Sequence, residues 1–224
     1  MRNCLILLLF LSVYAKVRSQ EIPNFGYLNN IQFNPAGAGI SEYPVINLLS
    51  NSFMGNYVYN KNRGLPNLYI FSADGNINKI NSGVGIVFRY YEYSNEKQYS
   101  PALVYNYKIK FSEISYLRLG MQFTYTQSII SGNSANSLQQ INNKFYVNIG
   151  LWYKLEKLNV GLSMISDTVH NLATNYFNVF YTFEERNLNI IPGIIYESPI
   201  NNGVPSVSCY VSFVYKNFFM AGVS

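Results

Sequence analysis

The 224-residue chain carries only 12% charged residues, about half the share of an ordinary soluble domain, while aromatic residues reach 17%, with 21 Tyr and 15 Phe. A mean hydropathy of +0.01 excludes a bundle of transmembrane helices, yet it suits a membrane barrel, whose apolar outward and polar inward residues average out. The formal charge of +5 includes Arg2, Lys16 and Arg18 of a leader; without them 13 basic residues stand against 11 acidic ones, a balance of +2, which leaves no clustered basic footprint for nucleic acid.

Residues 1–19 read as a signal peptide. Arg2 gives a positive start, Leu5 to Val13 is an apolar run too short to span a bilayer, and small residues follow at Ala15 and Ser19, which is the pattern of an export leader. Cleavage is expected after Ser19, with Ala15 as the alternative. Cys4 falls inside the leader, so Cys209 is left alone. It has no internal disulfide partner and belongs to the apolar set of its strand, facing lipid.

Residues 20–43 form an N-terminal segment without strand alternation. Its core is Phe33-Asn-Pro-Ala-Gly-Ala-Gly39, where small residues beside a proline suit close packing against other backbone. Two readings stand open: a plug in one mouth of a barrel, or a periplasmic lead-in.

Residues 44–224 are expected to form an antiparallel transmembrane β-barrel, all-β, of the outer membrane. From Tyr116 to Tyr125 the chain alternates without a break: Leu117, Leu119, Met121, Phe123 and Tyr125 against Tyr116, Arg118, Gly120, Gln122 and Thr124. That period of two, at this length, is what a tilted strand crossing a bilayer requires. Phe145 to Lys154 and Leu158 to Met164 repeat it, with Trp152 in the polar set. About eleven strands are predicted, at Pro44 to Phe53, Leu65 to Ala73, Ser82 to Tyr93, Tyr99 to Phe111, Ser115 to Ile129, Lys144 to Lys154, Leu158 to Ser166, Tyr176 to Phe183, Leu188 to Tyr196, Ser206 to Tyr215 and Phe218 to Val223. Pro192 predicts a bulge within its strand.

The joins should alternate between long and short, as outer loops and periplasmic turns do. Met54 to Gly64, Ile130 to Asn143, Asp167 to Asn175 and Glu197 to Pro205 are long, whereas Ser112 to Glu113, Leu155 to Lys157, Glu184 to Asn187 and Lys216 to Asn217 are tight. Two joins break the rule: Asp74 to Asn81 is too long and Ser94 to Gln98 too short. Tyrosines gather near strand ends, as an interfacial girdle would. Hydrocarbon offers nothing to unpaired N–H and C=O groups, so the sheet is expected to close.

Chemistry is scarce. The only aspartates are Asp74 and Asp167, the only histidine is His170, and neither a P-loop nor a Gly-Xaa-Ser-Xaa-Gly motif is present, so no catalytic residue, cofactor or metal is expected. A site built from Ser166, Asp167 and His170 would sit on a soft loop without an oxyanion hole. Arg89, Lys108, Arg118 and Lys154 fall on the inward positions of their strands as lumen-facing candidates. If the lumen conducts, the chain is instead a diffusion channel for small solutes, with Arg89, Lys108 and Arg118 setting anion preference.

Asn34, Pro35, Ala36, Ala38 and Gly39 resemble the Asn-Pro-Ala motif of the PorP/SprF-type outer-membrane proteins of the Bacteroidetes type IX secretion system, with Gly37 where that family more often has Tyr. Gly83-Val-Gly-Ile-Val-Phe88 and Leu117-Arg-Leu-Gly-Met121 resemble the family's Gly-rich hairpins. The resemblance implies a barrel in the outer membrane, in contact with its lipid. It further implies a role in type IX export and gliding motility, with secreted or surface-anchored adhesins and other secretion components as partners. Members of that family continue through further strands, so Phe218 to Val223 reads as an unfinished strand and the barrel as C-terminally incomplete.

Overall fold

The computed structural model describes residues 30–41, 43–52, 67–131, 140–167, 172–185, 188–200, 205–215 and 219–223. The leader, His170 and most of the long joins lie outside them.

Among the described residues one helical turn, α1 (Asn30–Phe33), and a 3-10 turn over Pro35–Gly37 precede twelve strand segments. These are β1 (Val45–Ser52), β2 (Asn67–Ile77), β3 (Ser82–Tyr93), β4 (Glu96–Lys110), β5 (Ser115–Ile130) and β6 (Gln140–Leu155), then β7 (Leu158–Asp167), β8 (Leu172–Tyr181), β9 (Phe183–Glu185), β10 (Leu188–Pro199), β11 (Ser206–Tyr215) and β12 (Phe219–Val223). All pair antiparallel with their neighbours in chain order, except that β8 and β9 both pair with β10. The sheet is a curled, barrel-like wall. Among the described residues no ladder joins β1 to β12, so the closure expected of a barrel is not made by these strands.

The period of two builds this wall directly. On β4, Gln98, Ser100, Ala102, Val104 and Asn106 are buried on the concave face, and the residues between them, Leu103 at 66% exposure among them, point outward. On β5, Gly120, Gln122, Thr124 and Thr126 face in while Leu119, Met121 and Phe123 face out. Phe145, Val147, Ile149 and Leu151 continue the apolar outer face across β6, and Cys209 is exposed on β11. So wide a band of exposed aliphatic and aromatic side chains is what a surface covered by hydrocarbon carries. Aromatic pairs reinforce its margin, Tyr69 with Tyr90 and Tyr90 with Tyr99 at centroid separations of 6.0 and 5.0 Å.

Strand limits differ from the expectation where polar residues imitate a turn. β2 continues through Asp74, Gly75 and Asn76 to Ile77, so the join to β3 shrinks to the 3-10 turn Asn78–Ile80 and Asn81, whose φ of 52° closes it. The join that was too long is therefore short. Its neighbour is shorter still: β4 begins at Glu96, and Ser94-Asn95 alone connect it to β3, Ser94 at φ 55°. The physical reason is common to both, since the polar residues taken for loop are inward-facing strand positions or cross-strand partners, such as Lys97 paired to Glu92 at 3.3 Å.

Pro192 makes no bulge. Phe180 opposes Gly193 and Phe183 opposes Ile190 in one unbroken register, so β8 and β9 are a single strand whose ladder is interrupted opposite Ile191 and Pro192. A proline lacks the N–H that a rung needs, and Thr182 N–H turns instead to Lys157 O on the other side, at 3.0 Å.

Candidate functional site: an internal plug and its seat

The segment from Asn30 to Gly39 packs against the concave face of the sheet. Pro35 opens its 3-10 turn, where a missing N–H is harmless, and Asn34 caps it by accepting from Ala36 N–H at 2.9 Å. Gly37 lies tight against α1, where a Cβ would come within 3.1 Å of Asn30 Cβ. Ile31, 1% exposed, anchors one side in an apolar cluster with Ala38, Ile70, Val87, Ala102 and Val104. Burying such a side chain contributes roughly 2–3 kcal/mol.

The other side is held by polar groups. Asn34 Nδ2 donates to Leu151 O at 2.8 Å and to Leu162 O at 3.2 Å, so one side chain ties the turn to both β6 and β7. Arg118 donates through Nη1 to Ala38 O at 2.8 Å and through Nη2 to Gly39 O at 2.7 Å. Asn106 Nδ2 also donates to Ala38 O, at 2.6 Å, while its Oδ1 accepts from Arg118 and from Gly83 N–H. Ser163 Oγ donates to Phe33 O, and Arg89 Nη2 donates to Gln32 O at 2.8 Å. Gly39 N–H is accepted by Asp74 Oδ2 at 2.6 Å. Backbone groups buried without a sheet of their own need such partners.

What makes room for the segment is a register row. Gly83 opposes Asn106, Asn106 opposes Gly120, Gly120 opposes Gly150, and Gly150 opposes Ser163, so one line runs across β3 to β7. A Cβ on Gly120 would overlap Pro35 and Ala36, one on Gly150 would overlap Asn34, and one on Gly83 would overlap Ala38. The row is a trough cut into the wall, and the Asn-Pro-Ala turn lies in it. Beside it Trp152, fully buried, donates to Asn159 Oδ1 at 3.3 Å.

Asn34, Pro35, Ala36 and Ala38 are thus brought together as the buried turn, with Gly39, at φ 63°, leading out toward β1. Of the lumen-facing candidates, Arg118 grips this turn through the Ala38 and Gly39 carbonyls, and Arg89 holds α1 before it through Gln32 O. Lys108 and Lys154 do not reach it, and lie instead 5.8 and 5.9 Å from the ring centroid of Tyr116. Asp74, expected in a join, is a strand residue that holds the plug. Asn106, Ser163, Asp74 and the glycine row had one shared signal, polar or side-chain-free residues at inward strand positions. Among the described residues no group of three or more His, Cys, Asp or Glu could hold a metal, and no helix is long and apolar enough to cross a membrane.

A curled antiparallel sheet with an apolar outer face, a polar inner face and a turn packed inside defines the class: a membrane protein of β-barrel type. The chain matches the family described as type IX secretion system membrane protein PorP/SprF over residues 16–224, and it belongs to that family. Neither a curated protein nor a solved structure matches it.

Proposed function

We propose that the chain is an outer-membrane barrel of type IX export that works by binding rather than by catalysis. It presents its long joins to secreted, surface-anchored adhesin-type proteins, which it delivers or retains at the cell surface, and its short joins to other export components in the periplasm. The family's association with type IX secretion supports the export role. The observation that carries the binding reading is the plug: a turn fastened to the inner wall by Arg118, Asn106 and Asn34 occupies space that a diffusion channel would leave to solute. A turn held there leaves the joins, and the mouth beside the short joins, as the surfaces for partners.

Deleting Ser131 to Gln140 is the test. Loss of partner display at the surface, with the barrel still shifting on a gel before and after boiling, is the expected result; unchanged display overturns the reading. In planar bilayers the intact protein is expected to be electrically silent, and a steady open conductance would favour the channel.

A further inference from the structure

At the end of the wall where the joins are short, the inner face gathers cations around one aromatic ring. Tyr116 is the second residue of β5; Lys108 and Lys154 come from β4 and β6 on either side, and Arg118 stands two residues along. Their charged groups lie 5.8, 5.9 and 5.4 Å from the Tyr116 ring centroid. Lys110, exposed, is the direct cross-strand partner of Tyr116. Lys108 is the direct cross-strand partner of Arg118, and like charges opposite one another on a sheet face are destabilising.

No carboxylate among the described residues pairs with the three lysines. Among the described residues the ion pairs are Lys97 with Glu92 and Lys157 with Glu184, so neither Glu113 nor Glu156, though in the adjacent turns, comes within ion-pair distance of these cations. Asp74 accepts from Gly39 N–H and attracts Arg118, the cation already held on the turn. The Tyr116 ring offsets part of the repulsion by cation–π attraction. Arg118 is committed to the plug carbonyls, whereas Lys108, Lys110 and Lys154 keep ammonium donors for another acceptor.

We propose that Lys108, Lys110 and Lys154 form a docking site for an acidic peptide segment, one bearing several carboxylates, of a partner that enters the lumen from its short-join mouth. The proposal rests on the partner-binding reading above and names the chemistry of the partner on the side away from the long joins. The cations stand on the concave face, turned from hydrocarbon, which excludes lipid head groups as the natural occupant; three ammoniums spread over neighbouring strands match carboxylates spaced along an extended chain.

The experiment uses the full chain in nanodiscs of zwitterionic lipid and a labelled hexa-aspartate peptide, with its hexa-asparagine counterpart, followed by fluorescence anisotropy. The acidic peptide is expected to bind and the neutral one not, with affinity falling as salt is raised. The double variant Lys108→Gln with Lys154→Gln is expected to lose about tenfold in affinity, while Lys108→Arg with Lys154→Arg retains binding. The heat-dependent gel shift reports folding of each variant. Equal affinity in the Gln double variant overturns the site. Displacement of the peptide by inorganic phosphate at equal charge concentration, or by phosphatidylglycerol added to the nanodiscs, overturns the peptide as occupant. Partner display at the cell surface separates the two readings: display intact without any peptide binding sinks the docking site alone, whereas display unaffected by the Ser131 to Gln140 deletion sinks the function.

Discussion

Arg118 Nη1 lies 2.8 Å from the carbonyl oxygen of Ala38, across a sequence separation of 80 residues. That one bond joins the middle of the wall to the segment that precedes the first strand. Its guanidinium also reaches Gly39 O, so a single planar group fixes two successive carbonyls. A fork of this kind is what arginine provides and lysine does not.

Arg118→Met should therefore release the plug's exit without opening the sheet. Hydrogen bonds from a charged donor are worth about 1.5–3 kcal/mol each, offset in small part by the cross-strand repulsion with Lys108 that the change removes, so a net loss of about 2–5 kcal/mol is expected. Arg118→Lys should fall between the two. The chain's single tryptophan, Trp152, is the cross-strand partner of Arg118, and its fluorescence followed through a denaturant titration reads the change.

Glycines of the wall should divide sharply by what stands over them. Gly150→Ala would place a methyl on Asn34, and the plug must shift or leave; Gly75→Ala meets nothing nearer than Pro44 at 3.9 Å. Overpacking of the first kind costs typically about 1–3 kcal/mol, while the second change should stay within about 0.5 kcal/mol of the parent. Limited proteolysis in the Asn30 to Ile40 region, with the gel shift as a check on the barrel, distinguishes them. Equal protease resistance of the two variants would contradict the trough.

Asn34 has both ends of its amide in use, Oδ1 toward Ala36 N–H and Nδ2 toward two carbonyls. Asn34→Asp keeps the size and the cap but turns an acceptor on Leu151 O and Leu162 O, so it should be more damaging than Asn34→Ala, by about 1–3 kcal/mol for the buried groups left unsatisfied. Denaturant midpoints of the two variants, read at Trp152, provide the comparison; Asn34→Ala as the worse of the two would contradict the donor role.

On the convex face the prediction concerns lipid. Phe123, 52% exposed in the middle of β5, projects outward from the longest paired strands. Phe123→Arg should cost about 2–4 kcal/mol when the protein inserts into a bilayer, and the fraction folded into liposomes, measured by gel shift, should fall accordingly. The same variant in detergent should be close to the parent.

Much of this was legible beforehand. The limits of β3 and β11 agree with the alternation residue for residue, since their ends coincide with turn residues and their faces differ clearly in polarity. Asp74 to Ile77 and Glu96 to Gln98 were misread because a lumen-facing polar residue looks like a loop residue when its surroundings are unknown. Pro192 was read as a bulge because a missing N–H shows that a rung is lost, not whether the strand slips in compensation; here the register is kept. The small residues of the Asn-Pro-Ala turn announced close backbone packing without saying against what.

By itself, then, the order of residues determined the period of two, the apolar outer face and the demand for close approach around Asn34, because each depends on local geometry that neighbours along the chain dictate. Only the tertiary structure decided that Gly83, Asn106, Gly120, Gly150 and Ser163 share one row and that Arg118 grips Ala38. Pairing register is a property of two strands at a time, and a trough across β3 to β7 exists only when every pairing between them is in place.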